Sequence, residues 1–291
     1  MEYRALYQEG TERLQQAGIA EASLDARLLL EYVCGTERND MLLRGDREVA
    51  EEDTKHYRRM LSKRADHVPL QYLTNQQEFM GLPFYVDENV LIPRQDTEIL
   101  VETIMEDGYD GKRILEIGTG SGCIILSLLK YGNGCHGTAT DISEGALETA
   151  RKNARQLGLD VELIRTDLAA DIIATSGIAT SGIATSGKGV YDIIVSNPPY
   201  IASSVISTLM PEVKEHEPML ALDGGADGLE YYRRILGETK NLLAPGGKYY
   251  FEIGYDQGKA VKALLEEQGC SDVRIVKDYA GLDRVISGVI K

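Results

Sequence analysis

The four residues Asn197-Pro198-Pro199-Tyr200 hold the groups best suited to chemistry in this chain. The Asn197 carboxamide oxygen and the Pro198 carbonyl can each accept a hydrogen bond from a planar NH2 group. The Tyr200 ring can lie against the face of that group. A conjugated nitrogen held this way presents its weak lone pair in a fixed direction, so reaction depends on positioning and electrostatics rather than on a strong base. Asn197, Pro198 and Tyr200 are the candidate catalytic residues; Asn197, Pro198, Pro199 and Tyr200 are the candidate substrate-binding set. An Asn-Pro pair also ends many ordinary strands, so the elements around it must decide.

Residues 192–196 form a short apolar run of the kind a buried parallel strand shows. Two consecutive prolines lack N–H donors and fix φ, so the chain leaves the sheet stiff and extended. In an open α/β sheet the carboxyl ends of the strands are where ligands bind. A second strand, Ile114 to Ile117, runs into Gly118-Thr119-Gly120-Ser121-Gly122 and an apolar helix. Glycine allows a tight turn and close approach of a ligand, and the helix start offers free N–H groups. The spacing is GxGxG, not the GxGxxG of the dinucleotide fingerprint. Together with Glu116 ahead of the first glycine, it points toward an S-adenosylmethionine site. Asp141 ends the next strand at the distance, about 20 residues on, where an acid accepts from ribose hydroxyls. A third strand over 161–165 leads into Thr166-Asp167-Leu168. There Asp167 reads either as an acceptor for an adenine amino group or as a cap on the following turn.

Strands and helices alternate from about 110 onward, which predicts a doubly wound α/β sheet with an antiparallel end. Residues 1–76 read as a small all-helical domain with nothing in it that performs chemistry; a substrate-docking role follows only by exclusion. Residues 77–96 read as a β-hairpin linker, with Phe79 to Val86 and Val90 to Pro93 flanking Asp87-Glu88-Asn89. The domain carrying the glycines and Asn197 occupies 97–291, its first helix capped by Asp96 or Thr97. Gly224, Gly225 and Gly228 suggest a tight loop over the site. Residues 174–187 repeat Ala-Thr-Ser-Gly three times with isoleucines between, which reads as a mobile surface insertion without function.

The formal charge of −15 disfavours non-specific attraction to nucleic acid or an anionic membrane, since both need a basic footprint. No run of 18 apolar residues and no signal-like start is present, which suggests a soluble, cytoplasmic protein. The scattered Cys34, Cys123, Cys135 and Cys270 show no metal-ligand spacing, so no metal site is expected.

With Glu116-x-Gly118-x-Gly120-x-Gly122, Asp141 and Asn197-Pro198-Pro199-Tyr200 in this order, the chain resembles class I S-adenosylmethionine-dependent methyltransferases. Three further stretches resemble the protein-(glutamine-N5) methyltransferases that act on peptide chain release factors. They are Ile92-Pro93-Arg94-x-Asp96-Thr97-Glu98, the run from Glu217-Pro218 to Gly228-Leu229, and Glu252-Ile253-Gly254. Within the helical segment, residues 25–30 and 69–73 fit the same family. The resemblance implies a seven-stranded Rossmann-like domain that uses S-adenosyl-L-methionine and leaves S-adenosyl-L-homocysteine. The substrate it implies is the glutamine of the Gly-Gly-Gln motif of class 1 release factors. It further implies cofactor contacts from Glu116, Gly118, Thr119, Gly120, Ser121, Gly122, Asp141, Asp167, Leu168 and Asn197. A monomer without direct nucleic-acid or membrane contact is expected.

Two rivals are set against this. A nucleic-acid amino methyltransferase, acting for example on adenine N6, would also grip a planar NH2, but should bring a basic target-recognition region that this acidic chain lacks. A non-catalytic binder of the cofactor or of a release factor would not require an intact Asn-Pro-Pro-Tyr corner.

Overall fold

A computed structural model describes residues 1–175 and 189–291 of the chain. The Ala-Thr-Ser-Gly repeat beyond Thr175, read above as a mobile insertion, lies outside the described residues. The chain divides into two units: Met1–Gln76 with Met210–His216, and Gln77–Leu209 with Glu217–Lys291.

In the first unit, α1 (Tyr3–Gln16), α2 (Ala22–Cys34), α3 (Arg38–Arg44), α4 (Glu51–Ala65) and α5 (Leu70–Thr74) surround a core that includes Leu6, Leu14, Leu29, Leu30, Tyr57 and Leu61. The charged stretch of α4 shows solvent only one side: Lys55 pairs with Glu51, while Tyr57, Met60 and Leu61 are buried. Arg64, on the same buried face, donates from Nε to Asp25 at 2.7 Å and from Nη2 to Glu212. A buried guanidinium is tolerated because carboxylates meet it on both sides.

The second unit opens with a hairpin, β1 (Gln77–Phe79) and β2 (Leu82–Phe84). It closes at Met80-Gly81, both with positive φ, the conformation of a two-residue type I′ turn. The run Val90 to Pro93 forms no strand, contrary to its apolar pattern; the hairpin is completed within residues 77–84. Helix α6 (Gln95–Glu106) follows with Arg94 at its N-cap, so neither Asp96 nor Thr97 fills that position. Thr97 lies in the first turn, buried.

The main sheet then forms from β3 (Arg113–Ile117), β4 (His136–Asp141), β5 (Glu162–Arg165), β6 (Tyr191–Ser196), β7 (Leu243–Glu252), β8 (Cys270–Lys277) and β9 (Asp283–Ile290). Among the described residues the strand order is β5-β4-β3-β6-β7-β9-β8, parallel except that β9 runs antiparallel to both neighbours. The helices α7 (Cys123–Tyr131), α8 (Glu144–Leu157), α9 (Ala170–Thr175), α11 (Glu230–Thr239) and α12 (Gly258–Glu267) provide the crossovers; α10 (Pro211–His216) belongs to the first unit. Central strands here must be apolar on both faces. Ile114, Ile193 and Val195 enter one core cluster, whereas Leu115, Ile117 and Ile194 enter the other.

Winding proceeds outward in one direction from β3 and in the other from β6. The switch point therefore falls between these two neighbours, where Ile114 pairs with Ile193 and Glu116 with Val195. Crevices for ligands open at such a point. It brings the glycine loop after β3 beside the proline-locked corner after β6.

Candidate active site

Each glycine of the loop after β3 has a positive φ: 72° at Gly118, 55° at Gly120 and 80° at Gly122. Side chains resist that conformation. Gly118 and Gly120 have open space where a Cβ would stand, while a Cβ at Gly122 would meet Leu126 at 3.0 Å and Ala150 at 3.3 Å. The loop is tied back by Gly118 and Thr119 N–H groups donating to the Thr140 carbonyl, both at 2.9 Å. Asp141 completes the tie, accepting from Gly120 N at 2.9 Å through Oδ2 and from Ser143 N at 2.9 Å through Oδ1. Burial raises its pKa, an effect those backbone donors oppose. Carboxylate oxygens carry two lone pairs each, so Asp141 retains acceptor capacity toward the cavity that it lines.

Glu116 is 1 % exposed. Its Oε2 accepts from the Thr119 hydroxyl at 2.6 Å and from Ile125 N at 3.3 Å, whereas Oε1 has no hydrogen-bond partner among the described residues. Burial pushes its pKa up to about 8. A buried acceptor left open in a ligand cavity suits a cationic group.

One cavity at the carboxyl ends of β3 and β6 is lined by Glu116, Gly118 to Ser121, Asp141, Asp167, Leu168 and Asn197 to Pro199. Gly122 and Tyr200, also singled out from the sequence, do not line it: Gly122 is the N-cap of α7, and the Tyr200 hydroxyl donates to Glu252 Oε1 at 3.3 Å. Asp167 accepts from Arg234 Nη2 at 2.8 Å, and the hydroxyl of Thr166, not Asp167, accepts from Asp171 N. The capping alternative for the Asp167 carboxylate is thereby replaced by an ion pair. Leu168 follows with φ of 53°, uncommon for a residue other than glycine.

The corner itself is latched from behind. Ile201 N donates to the Leu222 carbonyl, Gly224 N to the Ile201 carbonyl, and Gln257 Nε2 to the Tyr200 carbonyl at 2.9 Å. A Cβ at Gly224 would lie 2.7 Å from the Pro199 carbonyl oxygen, and one at Gly228 would lie 2.4 Å from that of Tyr200. Two of the glycines read as a loop over the site, Gly224 and Gly228, thus press against the backbone of the corner, while Gly225 faces the Glu230 side chain. Arg94, which lines the cavity, donates from Nη2 to both carboxylate oxygens of buried Glu217, at 2.7 and 2.6 Å.

Three residues of this neighbourhood are not legible as part of the site from the sequence: Arg234, Glu252 and Thr97, which reads there as a helix cap. The last two lie in motifs that carried the resemblance, but nothing in their spacing pointed to each other. Glu252 is 1 % exposed, and burial pushes its pKa up to about 7, with Thr97, Arg284 and Tyr200 opposing the shift.

A parallel sheet with this switch point, glycine loop and amide-bearing corner defines a class I S-adenosylmethionine-dependent methyltransferase. Residues 5–74 match the PrmC N-terminal domain and residues 94–216 the methyltransferase small domain. A release factor glutamine methyltransferase of Moorella thermoacetica is 42 % identical over 98 % of this chain and 97 % of its own. One of Agrobacterium fabrum is 40 % identical over 95 % and 93 %. The chain belongs to the release factor glutamine methyltransferase family. Among solved structures, the 16S rRNA N2 G1207 methyltransferase of T. thermophilus has a TM-score of 0.50 at 16 % identity. That match covers 74 % of this chain and 50 % of the other, and shows the shared fold.

The residues present fit the cofactor of that class, because the unpartnered Glu116 Oε1 offers a buried acceptor to a cation and the two open glycines leave room against the loop. A stability consequence follows. With its folded pKa near 8 against an ordinary 4.5, Glu116 contributes stability that is complete below pH 4.5 and is lost as pH rises through 8. Glu116→Gln is expected to raise the Tm of the free protein by a few degrees at about pH 8.5 and to change it little at about pH 4. The same change should weaken S-adenosylmethionine binding about tenfold or more. Thermal unfolding at the two pH values, with calorimetric titration of the cofactor, checks both halves.

Proposed function

We propose that this chain methylates the side-chain amide nitrogen of a glutamine in a peptide chain release factor, the glutamine of its Gly-Gly-Gln motif, with Asn197 and Pro198 gripping that amide. The observation that carries this reading is the pair of acceptors at the corner after β6. Among the described residues no hydrogen bond is made to the Pro198 carbonyl or to Asn197 Oδ1, and both residues line the cavity.

When bound, S-adenosylmethionine supplies a methyl group activated on a sulfonium. The chain's residues supply the rest. An amide nitrogen is a poor nucleophile because its lone pair is delocalised into the carbonyl. Accepting both of its N–H bonds concentrates charge on nitrogen and fixes the direction of the lone pair. Formation of the nitrogen–carbon bond is matched by cleavage of the sulfonium's carbon–sulfur bond. The nitrogen then sheds one proton to Asn197, a backbone carbonyl or water, since the N-methylated amide is cationic and strongly acidic until it does so. No side chain is required as a general base. Proline rigidity means that the corner is already set before substrate arrives, so little ordering is left for the bound state.

The cofactor contacts in this reading come from Glu116, Gly118 to Ser121, Asp141, Asp167, Leu168 and Asn197. Gly122 shapes the loop, and Tyr200 braces the corner through Glu252. The helical unit holds the release factor, and the acidic surface favours a basic protein face over nucleic acid. The chain acts as a monomer in the cytoplasm. Among the described residues no helix is long and apolar enough to cross a membrane.

Transfer of labelled methyl to release factor, ribosomal RNA and DNA, measured side by side, tests the reading. Label confined to the release factor supports it; label in either nucleic acid overturns it in favour of an amino methyltransferase on bases.

A further inference from the structure

The Asn197 carboxamide has two possible orientations, and only one presents its oxygen to a substrate NH2. Its Nδ2 donates to the Thr97 hydroxyl at 3.3 Å. Thr97 is 2 % exposed and sits in the first turn of α6, where its hydroxyl accepts from Asn197 and is among the groups that hold down the pKa of the buried Glu252. Four other helical threonines, Thr11, Thr74, Thr103 and Thr239, donate to the carbonyl four residues earlier, whereas Thr149 donates to the Asp87 carboxylate. The Thr97 hydroxyl instead accepts from Asn197, just beyond the end of β6.

A hydroxyl has a single proton. If that proton goes to the Glu252 carboxyl, the oxygen of Thr97 can only accept from Asn197, which forces Nδ2 toward Thr97 and leaves Oδ1 for the cavity. Glu252 is in turn held by the hydroxyl of Tyr200, the last residue of the same corner, at 3.3 Å, and by the Tyr232 hydroxyl donating to its backbone carbonyl at 2.8 Å. Its Oε2 remains without a hydrogen-bond partner among the described residues, Thr97 included, so the carboxyl keeps capacity for the Thr97 proton when the hydroxyl turns toward it.

We infer that Thr97 is a positioning residue for methyl transfer, its hydroxyl donating to Glu252 and accepting from Asn197 so that the Asn197 amide oxygen faces the substrate nitrogen. This rests on the reading of Asn197 as the amide acceptor and adds what orients it. Thr97 lines the same cavity, and the role inferred for it is exerted through Asn197 rather than directly on substrate or cofactor. It acts by excluding the flipped amide, which would set an NH2 against an NH2.

Valine has the shape of threonine without the hydroxyl, and serine keeps the hydroxyl without the methyl. Thr97→Val, Thr97→Ala and Thr97→Ser are compared in the full-length enzyme for kcat on a release factor and for S-adenosylmethionine affinity by calorimetry. The expected result is a kcat about tenfold or more lower in the Val and Ala variants at unchanged cofactor affinity, with Ser within about twofold of wild type. A packing role predicts the opposite order, Val above Ser, and would overturn the inference; so would wild-type kcat in either hydroxyl-free variant. The Ala variant keeps the test decisive if Val does not fold. Wild-type enzyme that leaves the release factor unmethylated would sink the underlying reading instead, which the same assay separates.

Discussion

Asn197→Ala is expected to lower turnover on a release factor by roughly two to three orders of magnitude, the loss seen when one preorganised polar group is removed from a reacting centre. The size of the effect follows from how little else is available. The nucleophile is an amide, the cavity lining offers no side chain in need of assignment as base, and the Pro198 carbonyl alone can accept only one of the two N–H bonds. Folding should survive. Asn197 is only partly buried, and its one side-chain bond, to Thr97 at 3.3 Å, is worth about 1 kcal/mol. Cofactor affinity should change by less than about tenfold, because the glycine loop, Glu116 and Asp141 remain in place. The checks are single-turnover rates at saturating cofactor and a thermal melt. A variant that turns over at the wild-type rate would remove Asn197 from the reaction.

The second large effect comes from a residue with no functional group at all. In Gly224→Ala the new Cβ would stand 2.7 Å from the Pro199 carbonyl oxygen and 2.8 Å from the Tyr200 Cα. Both are backbone atoms, which cannot swing aside as a side-chain tip does. The corner must move, or the 222–225 segment must, and the bonds from Ile201 N to Leu222 and from Gly224 N to Ile201 resist separation. Such overpacking costs about 1–3 kcal/mol of stability. A displacement of about 1 Å at the acceptors is enough to reduce the rate about a hundredfold. Gly237→Ala is the control, since a Cβ there meets nothing within 4 Å and the site lies in α11. It should be neutral or slightly stabilising, as alanine is a better helix former. Rates and melts for the two variants, measured in parallel, check the contrast.

What could be read from the sequence was mostly local. Residues 114–117 and 192–196 announce strands because each apolar run is cut off by residues that cannot extend a ladder, glycines in one case and prolines in the other. Ser143 is the N-cap of the helix after Asp141, its hydroxyl accepting from Ala146 N at 3.2 Å, a bond local enough for sequence to carry. Where local signals competed, the tertiary structure won. Val90 to Pro93 has strand-like residues but joins no sheet, because Met80 and Gly81 close the hairpin first. Thr97 has the chemistry of an N-cap, yet Arg94 holds that position and the hydroxyl is used elsewhere. Asp167 was visible as an acid after a strand, but its ion pair with Arg234 joins residues 67 apart. The bond between Asn197 and Thr97 spans 100 residues, and that between Tyr200 and Glu252 spans 52. No spacing rule reaches across such distances; the order of strands in the sheet creates these neighbours.

The central claim is that the corner after β6 directs a glutamine's amide nitrogen at the activated methyl group. Peptide mapping by tandem mass spectrometry, on release factor incubated with this enzyme and S-adenosylmethionine, locates the transferred methyl on one atom group. The predicted result is a single added methyl on the side chain of the Gly-Gly-Gln glutamine. A methyl found on a lysine, arginine or carboxylate side chain, or no methyl on the factor at all, would contradict it.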